Sequence, residues 1–162
     1  MSNINDNTLT ESPIAAGEIE PLDINDCICF GIRKASRAIT QICDDSLKRS
    51  KLRSTQFTIL LALSQKGSIT IGKLAEELWI DPTALSRNLK PLVRENYLEI
   101  QPGSDQRTRF ISLSEKGKIK TDEALNHWKE TQEKLRTLFT ESDLAQIKGS
   151  LNMLLESIKD HR

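Results

Sequence analysis

Residues 69–113 read ITIGKLAEELWIDPTALSRNLKPLVRENYLEIQPGSDQRTRFISL, and this stretch decides the fold. Ile71, Leu74, Ala75 and Leu78 recur at three- and four-residue spacing, the period of a helix that turns one face inward. Trp79-Ile80 interrupts the pattern as a turn. Asp81-Pro82 then opens a second helix. An aspartate side chain can accept the free N–H groups of a first turn, and proline at the first helical position gives up only an N–H with no intrahelical partner. Leu85, Leu89 and Leu92 form its inward stripe. Thr83, Arg87, Lys90 and Arg94 point the other way, with Ser86 on the flank. Pro91 removes a hydrogen bond to the carbonyl of Arg87 and predicts a bend. Residues 97–100 and 110–113 alternate apolar and polar, as two antiparallel strands do. Pro102 and Gly103 suit the loop between them.

Working outward, the spacing of Ile28, Ile32, Ala35, Ile39 and Ile42 predicts a helix from about residue 24 to 47. Lys48-Arg49-Ser50-Lys51 is a polar connection. A further helix starts near Ser54, carries Phe57, Leu60, Leu61 and Ser64, and ends at Gly67; residues 68–70 suit a very short strand. Ser114-Glu115-Lys116-Gly117 begins a long helix expected to reach Phe139, with Ile119, Leu125, Trp128, Leu135 and Leu138 as its apolar positions. Glu141-Ser142-Asp143 is the expected cap of a last helix, in which Leu144, Ile147, Leu151, Leu154 and Ile158 keep a coiled-coil-like 3-4-3-4 seam. The expected fold class is mostly α with a small β-wing: a winged helix-turn-helix domain at 52–113, and a helical dimerisation region at 23–50 and 115–162. Residues 1–22 are expected to be an acidic, disordered arm. The first and last helices carry more apolar stripe than a small winged domain covers. A homodimer with interleaved terminal helices is expected, against the alternative that these helices pack on their own domain.

The 162-residue chain has no formal net charge, which excludes a simple polycation that coats nucleic acid. The distribution says more. Residues 1–26 hold six acidic side chains and no lysine or arginine, whereas residues 81–120 hold eight basic side chains against five acidic ones. Basic charge gathered on one reading unit is the pattern of a specific nucleic-acid binder. No apolar run approaches the roughly 20 residues that span a bilayer. With no basic-then-apolar N-terminus to read as a secretory signal, a cytoplasmic location and no membrane partner are expected.

The chemistry of the Asp81–Asn88 segment suits duplex DNA. A recognition helix enters the major groove with its N-terminal turns foremost. Small and hydroxyl residues (Thr83, Ala84, Ser86) permit close approach, Arg87 can fork onto guanine, Asn88 can pair with adenine if exposed, and Lys90 can meet phosphate. An ordinary amphipathic surface helix is the alternative. The loop adds Asp105, Arg107 and Arg109. An arginine at a narrow tip can enter a minor groove, and Asp105 makes sense there if its carboxylate fixes the direction of the Arg107 guanidinium. A salt bridge unrelated to DNA is the other reading. A winged-helix adaptor that contacts protein instead of DNA, and a thiol enzyme, are competing functions. The sequence offers the latter no acid–base partner beside a cysteine, so no enzyme and no cofactor are expected.

The order and spacing of these motifs resemble the MarR family of winged-helix regulators. The matching segments are Leu74-Ala75-Glu76-Glu77-Leu78, the helix from Asp81 to Leu89, Asp105-x-Arg107, and Ile111-Ser112-Leu113-Ser114-Glu115-Lys116-Gly117, within a match covering about residues 24–160. The resemblance implies a homodimer on an inverted-repeat operator, with the wing aspartate orienting the wing arginine. It also implies a repressor released by a small ligand or by oxidation.

Three cysteines, Cys27, Cys29 and Cys43, form no disulfide framework. Cys29 and Cys43 lie about 21 Å apart along a straight helix, beyond the roughly 7 Å that a disulfide allows between Cα atoms; across an antiparallel dimer they can approach. The Cys29-Phe30-x-x-x-x-Ala35-Ser36-Arg37 run resembles the organic-peroxide-sensing (OhrR-like) subgroup, whose reactive cysteine stands where Cys29 does. That subgroup surrounds its cysteine with tyrosines. Here Arg33, Cys43 and Ser54 take those places, so the cage is absent. Arg33 lies one turn from Cys29 and would favour its thiolate if the side chains meet. Thiol sensing, soft-metal capture and a plain packing role remain open for the three cysteines. His127 and His161 are too isolated to suggest a metal site.

Overall fold

A computed structural model describes residues 23–105 and 108–161. The acidic arm expected at 1–22 lies outside the described residues. The described residues divide into two units, one ending at Arg37 and one beginning at Ala38.

In the first unit, Asp23 caps a short 3-10 turn, Ile24–Asp26, by accepting from the Asn25 N–H at 2.8 Å. The expected single helix from residue 24 is thus broken at Cys27, whose backbone is extended. Helix α1 begins at Ile28 and runs to Leu47.

The second unit holds the core. After α1 come α2 (Ser54–Lys66), β1 (Ile69–Thr70), α3 (Ile71–Glu77), α4 (Pro82–Arg94), β2 (Leu98–Pro102), β3 (Arg109–Leu113), α5 (Glu115–Arg136) and α6 (Glu141–Ile158). The sheet is antiparallel in the order β1-β3-β2, with Ile111 facing both Ile69 and Ile100. Phe57, Ile59, Leu60 and Leu63 of α2 pack with Leu74 of α3, Leu85, Leu89 and Leu92 of α4, Leu98, Ile111 and Ala124 in one buried cluster. Leu47 and Leu52 join it, so the core runs across the boundaries expected between reading domain and terminal helices.

Several expectations need correction. Helix α5 ends at Arg136, short of Phe139. Its buried side chains are Thr121, Ala124 and Thr131; Leu125 and Trp128 pack against the core as expected, while Ile119 and Leu138 are exposed. Small residues let α5 lie close: a Cβ on Gly117 would collide with the carbonyl of Tyr97, and Trp128 reaches Phe57 with ring centroids 6.1 Å apart. The cap of α6 is Thr140, not Glu141. Its hydroxyl accepts from the Asp143 N–H at 3.1 Å, and the Asp143 carboxylate accepts from the Thr140 N–H at 2.9 Å, a reciprocal capping box. In α2, Ser64 is exposed and Ile59 and Leu63 take the inward places.

Candidate nucleic-acid interface

The geometry of α4 is set at both ends. Upstream, α3 closes with the Ile80 N–H on the Ala75 carbonyl (3.0 Å) and the Trp79 N–H on the Glu76 carbonyl (3.1 Å), the paired pattern of a Schellman stop. Such a stop needs a left-handed residue, and Trp79 supplies it at φ 50°, a conformation unusual for a bulky side chain. Asp81 then caps α4, accepting from the Thr83 N–H at 2.8 Å and the Ala84 N–H at 3.0 Å, with Pro82 in the first turn. At the far end Asn96 (φ 59°) repeats the stop: the Tyr97 N–H bonds the Leu92 carbonyl and the Asn96 N–H that of Val93, both at 2.9 Å. Leu85, Leu89 and Leu92 anchor the helix in the core, leaving Thr83, Ser86, Arg87, Lys90 and Arg94 exposed on one surface.

Asn88 departs from its expected place. It is half-buried, its amide donates to the Ala84 carbonyl at 3.0 Å, and its side-chain oxygen accepts from the Thr55 hydroxyl at 3.4 Å. Both ends of the amide are engaged within the protein, so Asn88 joins α4 to α2 and does not offer a free edge to adenine. Thr55 was not singled out from sequence, because its partner lies 33 residues away.

The hairpin is longer than expected. Pro102 pairs with Arg109 inside the ladder instead of lying in the loop. Proline is tolerated because β2 is an edge strand. The Gly103 N–H reaches the Thr108 carbonyl at 2.8 Å, and the Asp105 carboxylate accepts from the Thr108 N–H at 2.6 Å. That carboxylate therefore braces the turn backbone. Arg107, with the expected Asp105–Arg107 link, lies outside the described residues. Arg109 is exposed at the start of β3.

The base of α2 is held by α1. The Asp44 carboxylate accepts from the Ser54 N–H at 2.6 Å and closes a first-turn donor across ten residues of sequence. Burial acts to raise this carboxyl, but hydrogen bonds from Ser54 and the charges of Arg53 and Lys48 outweigh it and hold it below its ordinary range. The neighbouring Cys43 goes the other way: burial, then the Asp44 charge, push its thiol up. A raised thiol carries little thiolate at neutral pH and is a poor nucleophile. Cys29 is exposed and Cys27 half-buried; all three are free thiols. Among the described residues, no three His, Cys, Asp or Glu side chains are grouped to hold a metal ion, and no helix is long and apolar enough to cross a membrane.

A capped, core-anchored helix with a hydroxyl-and-basic outer surface, followed by an antiparallel hairpin, is a winged helix-turn-helix. The MarR family model matches residues 52–108, which run from the end of the α1–α2 connection to the hairpin turn. Over residues 52–108 the chain is thus similar to the MarR family. The chain is 33% identical over 92 residues to the HTH-type transcriptional regulator SarZ of Staphylococcus epidermidis, covering 56% of this chain and 62% of that protein. It thus spans less than two thirds of the length of this relative. It is 25% identical over 144 residues to the organic hydroperoxide resistance transcriptional regulator of Bacillus subtilis, covering 87% of this chain and 95% of that one. Among solved structures, the M. tuberculosis transcriptional regulator MosR in complex with DNA superposes with a TM-score of 0.77 at 26% identity, over 85% of this chain and 99% of that one. A mutant E. coli MarR complexed with operator DNA shares the fold, with a TM-score of 0.74 at 22% identity, over 83% and 99% of the two chains. The MarR-type winged-helix fold therefore extends beyond the family segment to most of the chain.

Proposed function

We propose that this chain is a transcriptional regulator that acts as a homodimer on double-stranded DNA. In this reading it is a repressor in the cytoplasm, without catalysis or cofactor, and it leaves an inverted-repeat operator when a small ligand binds or a cysteine is oxidised. The observation that carries the reading is α4 itself. Its first turn is fixed by Asp81, its apolar stripe is locked into the core, and its exposed surface holds Thr83, Ser86, Arg87 and Lys90 beside a hairpin carrying Arg109. Hydroxyls and forked or point cations on a rigid helix suit base edges and phosphates. MosR, to which the chain is similar along almost all of that protein, was solved bound to DNA.

The homodimer follows from unpartnered apolar surface. Ile28, Ile32, Ile39 and Ile42 of α1 and Ile147, Leu151 and Ile158 of α6 are all exposed in a single chain, and α6 buries no residue. An isolated amphipathic helix of this length is marginal in water. A second copy supplies the same stripes and covers them by symmetry. Oxidation is assigned to Cys29, the exposed thiol: a peroxide transfers one oxygen to its sulfur as the O–O bond breaks, giving a sulfenic acid and releasing water or an alcohol.

The test is selection of binding sites from random duplex DNA. Binding to the selected sequence is then measured with reduced protein, peroxide-treated protein and Cys29→Ser. The reading expects an enriched inverted repeat bound with a steep negative salt dependence, released by peroxide in the wild type and retained by the variant. Enrichment of no sequence over random duplex removes the DNA assignment and favours a protein-binding adaptor. Release of both proteins alike removes Cys29 as the sensor.

A further inference from the structure

Between α4 and the hairpin base lies an apolar cleft of about 410 Å³, lined by Ile71, Leu89, Val93 and Ile100, with Lys90 and Arg94 also on its walls. Val93 and Ile100 remain 37% and 38% exposed, large for apolar side chains at the margin of a core. The register explains Ile100. It pairs with Ile111, which is fully buried. Directly opposed residues of an antiparallel pair share a sheet face. Ile100 therefore continues the core face of the sheet onto its edge strand, beyond the point where α4 covers it.

We propose that this cleft seats the sugar–phosphate strand that crosses between the two grooves read by α4 and the hairpin. Deoxyribose rings lie on Ile71, Val93 and Ile100, and the flanking phosphates meet Lys90 and Arg94. The inference rests on the DNA-reading assignment above. A duplex with a helix in its major groove and a hairpin in the adjacent minor groove must pass one strand between those two elements. The cleft lies between α4 and strand β2 of the hairpin, and Lys90 and Arg94 belong both to its walls and to the exposed row of α4. Its chemistry fits both halves of the strand: an apolar floor for sugar faces and cations for phosphate. Both charged side chains on its walls are cations, which favours a polyanion over an apolar peptide segment. The contact of Arg94 with Glu95, 3.8 Å and well exposed, is weak enough to exchange for a phosphate.

Salt dependence separates this contact from an ordinary ionic one. Apolar packing contributes affinity that does not vary with counterions, whereas each lost phosphate contact flattens the log–log salt slope by about 0.9. On the selected inverted repeat, Val93→Thr and Ile100→Thr are expected to bind about three- to tenfold more weakly at every salt concentration with the wild-type slope, and Lys90→Ala is expected to flatten the slope. Thermal unfolding of each variant, and Ile100→Val, which removes one methylene without adding a polar group, guard against a folding defect. Threonine and valine variants that bind like wild type, while wild type keeps its steep slope, overturn the cleft assignment and leave DNA reading standing. Absence of salt-dependent binding by the wild type overturns both.

Discussion

Replacing Asp81 by alanine removes the cap of the reading helix without touching the core. The structure gives the cost. One carboxylate oxygen accepts from two backbone N–H groups, at 2.8 Å and 3.0 Å. Both donors are exposed, so water replaces part of the loss, and a cap of this kind is worth about 1 kcal/mol. For a chain of this size about 1 kcal/mol lowers the unfolding midpoint by roughly 2–4 °C. If α4 reads DNA as proposed, the same 1 kcal/mol, needed to re-order its first turn on binding, weakens operator binding by about fivefold. Asp81→Asn separates cap from charge. Asparagine still accepts both N–H groups, so the midpoint stays near wild type. Loss of a negative charge beside the DNA raises non-specific affinity at low salt. Differential scanning calorimetry and fluorescence anisotropy on one duplex read both quantities. An alanine variant that melts and binds like wild type refutes the role given to this cap.

Three further outcomes are expected. Asn88→Ala lowers stability by about 1 kcal/mol and leaves the selected base sequence unchanged, because the amide is bonded to Ala84 and Thr55; a changed base at one operator position contradicts this placement. Gly117→Ala destabilises by about 1–3 kcal/mol through its collision with the Tyr97 carbonyl, and an unchanged urea midpoint would falsify that close approach. The Asp44 carboxyl is depressed, so its contribution to stability is present above the unfolded value of about 3.9 and is lost as pH falls through the lower folded value. Asp44→Asn should therefore be less stable than wild type at neutral pH and close the gap in acid, and parallel pH profiles for the two proteins would dismiss the Ser54 tie.

What the sequence made legible was local. The Asp81-Pro82 start of α4 and its leucine stripe follow from chemistry within a few residues, and the structure places both as expected. Nearby signals misled where two neighbours competed: Thr140 and Glu141 both suit a helix start, and only the reciprocal bond with Asp143 shows which one caps. Pro102 reads as a turn residue because its tolerance at an edge strand depends on the sheet order, a non-local fact. The inward face of α5 was read only in part: Leu125 and Trp128 pack on the core as expected, but its small buried residues were missed for a physical reason. Close packing against α2 and the sheet selects small residues, so Thr121, Ala124 and Thr131 are buried while the larger Ile119 is not. In the candidate interface, the exposed row of α4 was readable from period alone. The Thr55–Asn88 bond and the cleft at Val93 and Ile100 were not, since each joins segments that the fold brings together from a distance.

The central claim is that paired copies of this chain read paired half-sites. Sedimentation of the protein with a duplex carrying the selected inverted repeat, and with one carrying a single half-site, tests it most directly. The account predicts a dimer in the absence of DNA that binds the full repeat as one unit and the half-site far more weakly. A monomer that occupies each half-site independently, with equal affinity in both duplexes, would contradict it.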